Sequence, residues 1–257
     1  MSAIAAAPMS RSGASTAEWK IRVELAAAYR MIHHWGWTSL IYNHITARVP
    51  GDSEHFLINN YGLLYDEVTA SNLVKIDLAG TIIEGPSGAE INLAGYVIHS
   101  AVHAARSDIS CVVHTHTPAG VGVSAMEEGL MPLSLESTLL AGRLGYHEFE
   151  GITVNEEEKP RLVAALGPRT GLILRNHGLL AVGRSVGEAV ARIWMMERAC
   201  QMQVAALSGG RVHRVAPEVQ ERIAAQMSKF DERSEDGERP FAAMLRWLDR
   251  NDPTYKS

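Results

Sequence analysis

The chain has little cysteine, little net charge and no long apolar run, and each shortage removes a class of protein. Two cysteines in 257 residues, Cys111 and Cys200, both in apolar stretches, make no disulfide framework. The expected setting is a reducing cytoplasm. No stretch of 18 apolar residues occurs, so no membrane-spanning helix is expected. The 24 Lys and Arg are scattered among 29 Asp and Glu, for a net charge of -5. Without a basic stripe, neither nucleic acid nor an anionic membrane is the expected partner. The Ala- and Ser-rich start, Met1 to Ser15, lacks the continuous apolar stretch of a signal peptide and reads as a flexible tail.

What is present is ordinary for a globular chain: 46 % apolar and 21 % charged residues, in a length that suits one large domain with extensions. Ser15 and Glu18 have the spacing of a capping box. A helix is predicted from there to about Trp35, with Leu25, Ala28, Tyr29 and Ile32 on one face and Gly36 as its stop. Strands are predicted over Ile41 to Val49 and His55 to Asn59, and a hairpin over Leu73 to Asp77 and Thr81 to Glu84. A helix follows over Ile91 to Ala105, a short strand over Ser110 to His114, and a helix opening at Thr117 or Pro118. Glu136 to Leu144 reads as helical, and Asn155 as the start of a helix closed by Gly167-Pro168. Gly171 to Leu174 and Leu179 to Val182 read as strands, and Ser185 with Glu188 opens a long helix to about Leu207. Ser208-Gly209-Gly210 marks a boundary, beyond which lie two helical pieces separated by the charged run Asp231 to Glu238. The expected organisation is a tail over 1–15, a main domain over 16–208 and a helical extension over 209–257. Strands and helices that do not alternate strictly point to an α/β fold with substantial antiparallel pairing, covered by helices.

Histidines carry the chemistry. In Cys111-Val112-Val113-His114-Thr115-His116-Thr117, residues two apart share one side of an extended backbone, so His114 and His116 can face one point at a strand end. His177 lies in a similar place, in the turn Asn176-His177-Gly178 after a strand. Three neutral imidazoles with an open position form the ligand set of a catalytic zinc site. Imidazole equally suits iron, nickel and copper, and a strand-end His is often only a hydrogen-bonding residue. His99 and His103, four apart on a helix, form a second pair, but without the Glu of a His-Glu-x-x-His protease motif.

At these residues the chain resembles the class II aldolase/adducin family, over about Trp19 to Gly210. The resemblance rests on Tyr42-Asn43-His44-Ile45-Thr46-Ala47-Arg48, Val112 to Thr117, Tyr146-His147-Glu148-Phe149-Glu150-Gly151, and Leu174-Arg175-Asn176-His177-Gly178-Leu179. It implies a three-layer α/β/α sandwich with a largely antiparallel central sheet, a homotetramer, and a divalent metal on His114, His116 and His177. Zn2+ is expected there, with Mn2+ or Fe2+ as alternatives. The departures from the pattern matter as much. The acid–base Glu of the sugar-phosphate aldolases, nineteen residues before the first ligand, falls on Gly95, and the Thr-Gly of their phosphate loop falls on Tyr61-Gly62. A phosphorylated sugar is therefore not the expected substrate.

The expected function is a metal-dependent carbon–carbon lyase, of aldolase or decarboxylase type, on a small non-phosphorylated hydroxy or keto acid or aldehyde. The metal would act as a Lewis acid on a developing enolate. With Gly at position 95, His99, one helical turn on, is the candidate for the missing proton-transfer group. Glu136 is a second candidate, though a solvated first-turn Glu explains it as well. His147 and Glu148 have no assigned role, Tyr61 is expected to line or fill the pocket, Trp35, Trp37 and Tyr42 are expected to pack in the core, and the Met195-Met196 pair, with Trp194, is expected to pack against the sheet. Two other readings stay open: a non-catalytic oligomeric scaffold like the adducin heads, and a non-haem iron oxygenase acting on a phenolic acid.

Overall fold

The computed structural model describes residues 14–52, 54–151, 156–231 and 237–257. Most of the expected tail, the helix start at Asn155 and most of the charged run after Asp231 lie outside them. The first helix, α1, spans Thr16–His34, and the Ser15 hydroxyl caps it by accepting from the Glu18 amide at 3.1 Å. Only half of the expected capping box forms. The Glu18 carboxylate turns instead to Arg22, at 2.9 Å, and to Lys75, at 3.1 Å. The buried stripe of α1 includes Leu25, Ala28, Tyr29 and Ile32, as its period requires.

Strands β1 (Ile45–Arg48), β2 (His55–Ile58), β3 (Val74–Asp77) and β4 (Ile82–Glu84) then form an antiparallel meander. Helix α2 (Leu93–Ala105) leads to β5 (Cys111–Thr115), α3 (Pro118–Ser124) and α4 (Leu135–Leu139). After them come β6 (Leu144–His147), α5 (Lys159–Leu166), β7 (Gly171–Leu174), β8 (Gly178–Gly183) and α6 (Val186–Ser208), and finally α7 (Pro217–Asp231) and α8 (Glu238–Asn251). The eight strands make one sheet in the order β4-β3-β2-β1-β5-β8-β7-β6, antiparallel throughout except for the parallel pair β6–β7. Two strand expectations change. Ile41 to His44 is a bend rather than strand, because Leu40 takes a left-handed φ of 48° and the chain turns there. The helix expected over Glu136 to Leu144 stops at Leu139, and Leu144 opens the edge strand β6.

The inner strands are apolar on both faces, and helices cover both, which completes the three layers. Cys111, Val113, Leu179, Ala181 and Ile173 face α1, α6 and α8, while Val112, Leu172, Leu180 and Val182 face α2 and α5. Fully burying each Val, Leu or Ile among them contributes about 2 kcal/mol. The segment expected as a helical extension returns to this core. Phe241 and Leu248 of α8 and the following Tyr255 are buried with the residues of α1 and α6. The Ala70 and Ser71 amides donate to the carbonyls of Tyr255 and Ser257, both at 2.9 Å, and Arg30 pairs with Asp252 at 3.0 Å. Trp37 and Met196 are buried as expected and Met195 packs against the core, but Trp194 is 39 % exposed. Both cysteines are buried and free, and burial pushes both thiols up.

Candidate metal centre

Alternation along β5 sorts its side chains to two faces. Val112 and His114 point to the α2 side, and Val113 and Thr115 to the α6 side. Thr115 and, two residues on, Thr117 both donate to the buried carboxylate of Glu197 on α6, the latter at 2.5 Å. Thr117 also caps α3 by accepting from the Gly120 amide at 2.9 Å. One buried carboxylate therefore pins the strand end from behind while the alternate residues, His114 and His116, project forward.

His177 reaches the same point from the turn before β8. Asn176 supplies a left-handed φ of 55°, which its short polar side chain tolerates. At Gly178 a Cβ would lie 2.2 Å from the Thr115 carbonyl oxygen, so only glycine lets the two chain segments approach this closely.

The Nε2 atom of His114 lies 2.7 Å from that of His116 and 3.3 Å from that of His177. The His114 Nδ1–H donates to the Leu179 carbonyl at 2.8 Å, which leaves its Nε2 as a bare lone pair aimed at the other two rings. Burial pushes the His116 and His177 rings down to about 4 and His114 well below its ordinary value, so all three are neutral near pH 7. In the metal-free chain an Nε2–H of His116 or His177 can donate to the His114 lone pair, and with a cation between the rings all three lone pairs would face it. Ligand atoms on a tetrahedral zinc ion stand about 3.4 Å apart, so this donor set fits a divalent metal. Among the described residues these three form the one group with metal-ligand geometry.

A cavity of about 520 Å³ opens over the triad. His44, Tyr42, Tyr61, Gly95, Ile98 and Phe149 are among its walls. No Lys, Arg, Asp or Glu is among its described lining residues. Tyr42, expected in the core, is 53 % exposed and belongs to this wall, and Tyr61 lines it as expected. Phe149, 56 % exposed, has its ring 6.3 Å from that of His177.

His99 does not reach the cavity. It is fully buried, one layer deeper, with its ring centroid 4.1 Å from that of His44. Its Nδ1 meets the Thr46 hydroxyl at 2.8 Å, and the same hydroxyl meets His103 Nε2 at 2.8 Å. The group facing the cavity at this place is His44, whose Nε2–H donates to the Gly95 carbonyl at 2.8 Å. Burial pushes the His44 ring down to about 4, partly offset by the Gly95 and Tyr42 carbonyls. The sequence assigns His44 no role of its own. The available signal was its spacing of two from Thr46, which puts both on one face, but nothing local shows that Gly95, 51 residues away, lies under the ring. Glu136 is not among the lining residues either. His147 is buried and paired with Glu158 at 2.9 Å, beneath the segment that carries Phe149.

Residues 23–204 match the family model described as the class II aldolase and adducin N-terminal domain. The chain belongs to the class II aldolase/adducin family. An aldolase II superfamily protein from Pseudomonas syringae, known as a crystal structure, is 47 % identical, with a TM-score of 0.91 over 96 % of this chain and 99 % of the other. The L-fuculose 1-phosphate aldolase from Glaciozyma antarctica PI12 is 25 % identical, with a TM-score of 0.81 over 98 % of this chain and 97 % of the other. Alpha-adducin of Rattus norvegicus is 46 % identical over 242 residues, which is 89 % of this chain but 33 % of adducin. The class II aldolase fold of these neighbours is the three-layer arrangement expected from the sequence.

Proposed function

We propose that the chain is a divalent-metal-dependent carbon–carbon lyase, of aldolase or decarboxylase type, acting on a small non-phosphorylated hydroxy or keto compound. The observation that carries this reading is the convergence of the three neutral His nitrogens of His114, His116 and His177 at the floor of a cavity. When bound, the metal would polarise a substrate carbonyl and stabilise negative charge developing beside it. Zn2+ is the first choice and Mn2+ or Fe2+ the alternatives, since imidazole accepts all three. The chain's own groups shape the substrate. Without Lys or Arg in the described lining, no cationic side chain there offsets the charge of a phosphate. The phenols of Tyr42 and Tyr61 supply hydroxyls, and Phe149 an apolar wall. Metal analysis of the purified protein, followed by a screen of hydroxy acids, keto acids and aldehydes with and without chelator, tests the reading. Turnover that survives complete metal removal would sink it.

The similarity to alpha-adducin favours a second reading, an oligomeric scaffold without catalysis. A scaffold has no use for three converging neutral imidazoles, and metal well below one ion per chain would favour it. The expected homotetramer belongs to either reading, and sedimentation equilibrium measures it.

A further inference from the structure

We propose that His44 is a catalytic residue that carries the proton in this cavity from the space above Gly95, and that His99 is a positioning residue behind it. The inference rests on the lyase reading above. Four observations support it.

The first is steric. A Cβ at position 95 would lie 1.8 Å from Cε1 of His44, 2.4 Å from its Nδ1 and 2.5 Å from its Nε2. The imidazole and any side chain at 95 exclude each other, so the glycine makes room for the ring. The second is elimination within the described lining. It holds four imidazoles and two phenols but no carboxylate. Three imidazoles converge on one another, and His44 stands apart, its ring centroid 6.2 Å from that of His114. The third is an orphaned atom. With Nε2–H committed to the Gly95 carbonyl, the neutral ring leaves Nδ1 as an acceptor; that atom is buried with no donor to meet it, since the nearby Tyr42 carbonyl is itself an acceptor. A buried polar atom without a partner is costly and calls for an explanation, which a substrate hydroxyl would supply. The fourth is support. His99 lies against the His44 ring, centroids 4.1 Å apart and planes tilted by 47°, and is itself held by Thr46, which His103 holds from the other side.

The step balances for a substrate with a hydroxyl on the second carbon from a carbonyl. The hydroxyl proton passes to Nδ1 of His44, and the freed pair forms a new carbonyl. The carbon–carbon bond breaks, and its electron pair goes to the carbonyl-bearing fragment as an enolate. The proton then passes from Nδ1 to that fragment's carbon, and His44 is neutral again.

The test uses the metal-loaded full chain and dihydroxyacetone in D2O, with loss of the C–H signal followed by NMR. Cobalt-substituted protein gives the metal readout through its absorption spectrum. His44→Ala is expected to keep one metal per chain and an unchanged cobalt spectrum at a temperature where it stays folded, yet to exchange about 100-fold more slowly. Gly95→Ala, which forces the ring away, is expected to slow exchange too. His44→Ala combined with Gly95→Glu is expected to recover at least about ten-fold, because a carboxylate then occupies the vacated space. For the positioning residue, His99→Leu is expected to lower the maximal rate without changing the half-saturating concentration. His99→Asn, which can keep the bond to Thr46, is expected to restore it. Wild-type exchange undiminished in His44→Ala overturns the assignment and leaves the lyase reading standing. Loss of metal or an altered cobalt spectrum in His44→Ala makes His44 a ligand and also overturns it. No exchange by the fully loaded wild-type protein overturns this assignment, whereas the lyase reading falls only if turnover survives complete metal removal.

Discussion

The strands β1, β5 and β8 end in two cavities of the same size, about 520 Å³ each, and of opposite chemistry. At one end lie Lys20, Glu24, Arg48, Asp52, Arg184 and Glu238. Their charges answer one another in or near water: Lys20 stands 3.6 Å from Glu24, Arg184 2.9 Å from Glu188, and Ser185 donates to Glu238. At the other end the described lining carries no charged side chain of these types, and buried polar atoms lack partners: both side-chain atoms of Asn43, Nδ1 of His44 and, one layer down, Nε2 of His99. Volume does not separate a functional site from a solvated groove. Polar groups held in place without being satisfied do, because a fold keeps such a cost where a ligand repays it.

The comparison can be broken at the imidazole end first. His114→Ala should leave metal well below one ion per chain, by elemental analysis, and abolish turnover; full metal content would remove the distinction between the two cavities. Next comes the clamp behind the ligands. Glu197→Ala leaves two buried hydroxyls without their acceptor and should cost about 3 kcal/mol in urea unfolding of the metal-free chain. It should also weaken metal binding about ten-fold or more, as loss of groups that orient ligands does. Unchanged affinity would show that the strand end is rigid without it.

A smaller effect follows from proton binding. Burial holds the His44, His116 and His177 rings near 4, against an ordinary 6.5. Between those values the unfolded chain binds more protons than the folded one. Their contribution to the stability of the metal-free protein is therefore complete above pH 6.5 and lost as pH falls toward 4. His177→Gln should reduce the loss between pH 7 and pH 5 by about 2 kcal/mol, read from urea midpoints at the two values. An unaltered pH dependence would mean that the ring is not buried in solution. The smallest effect belongs to the charged end. Lys20, its side chain 75 % exposed, should tolerate Lys20→Ala within about 0.5 kcal/mol and with no change in metal content.

Much of the fold was legible because its signals are local. The helix caps at Ser15 and Ser185, the hairpin β3–β4 and the strand β7 follow from spacing and turn residues alone. The strand β6 was not, because four residues, Leu-Gly-Tyr-His, carry too little pattern, and their pairing partner β7 is supplied only by the fold. Helix α8 read as an appendage because a strongly amphipathic helix looks the same whether its apolar side meets this core or another surface. Tyr42 was expected inside and lies on the cavity wall, since an aromatic residue in a bend can face either way.

The sequence by itself determined that His114 and His116 share one face and that Thr115 and Thr117 share the other, because alternation is a property of the extended backbone. It also determined that position 95 carries no acid. Only the tertiary structure decided that Glu197 grips the threonines and that a turn 61 residues after His116 brings His177 to the same point. It alone decided that the room above Gly95 is filled by His44 rather than His99. The physical reason is the same in each case: these are contacts across the sheet and between layers, set by strand order and helix packing, and no local spacing encodes them.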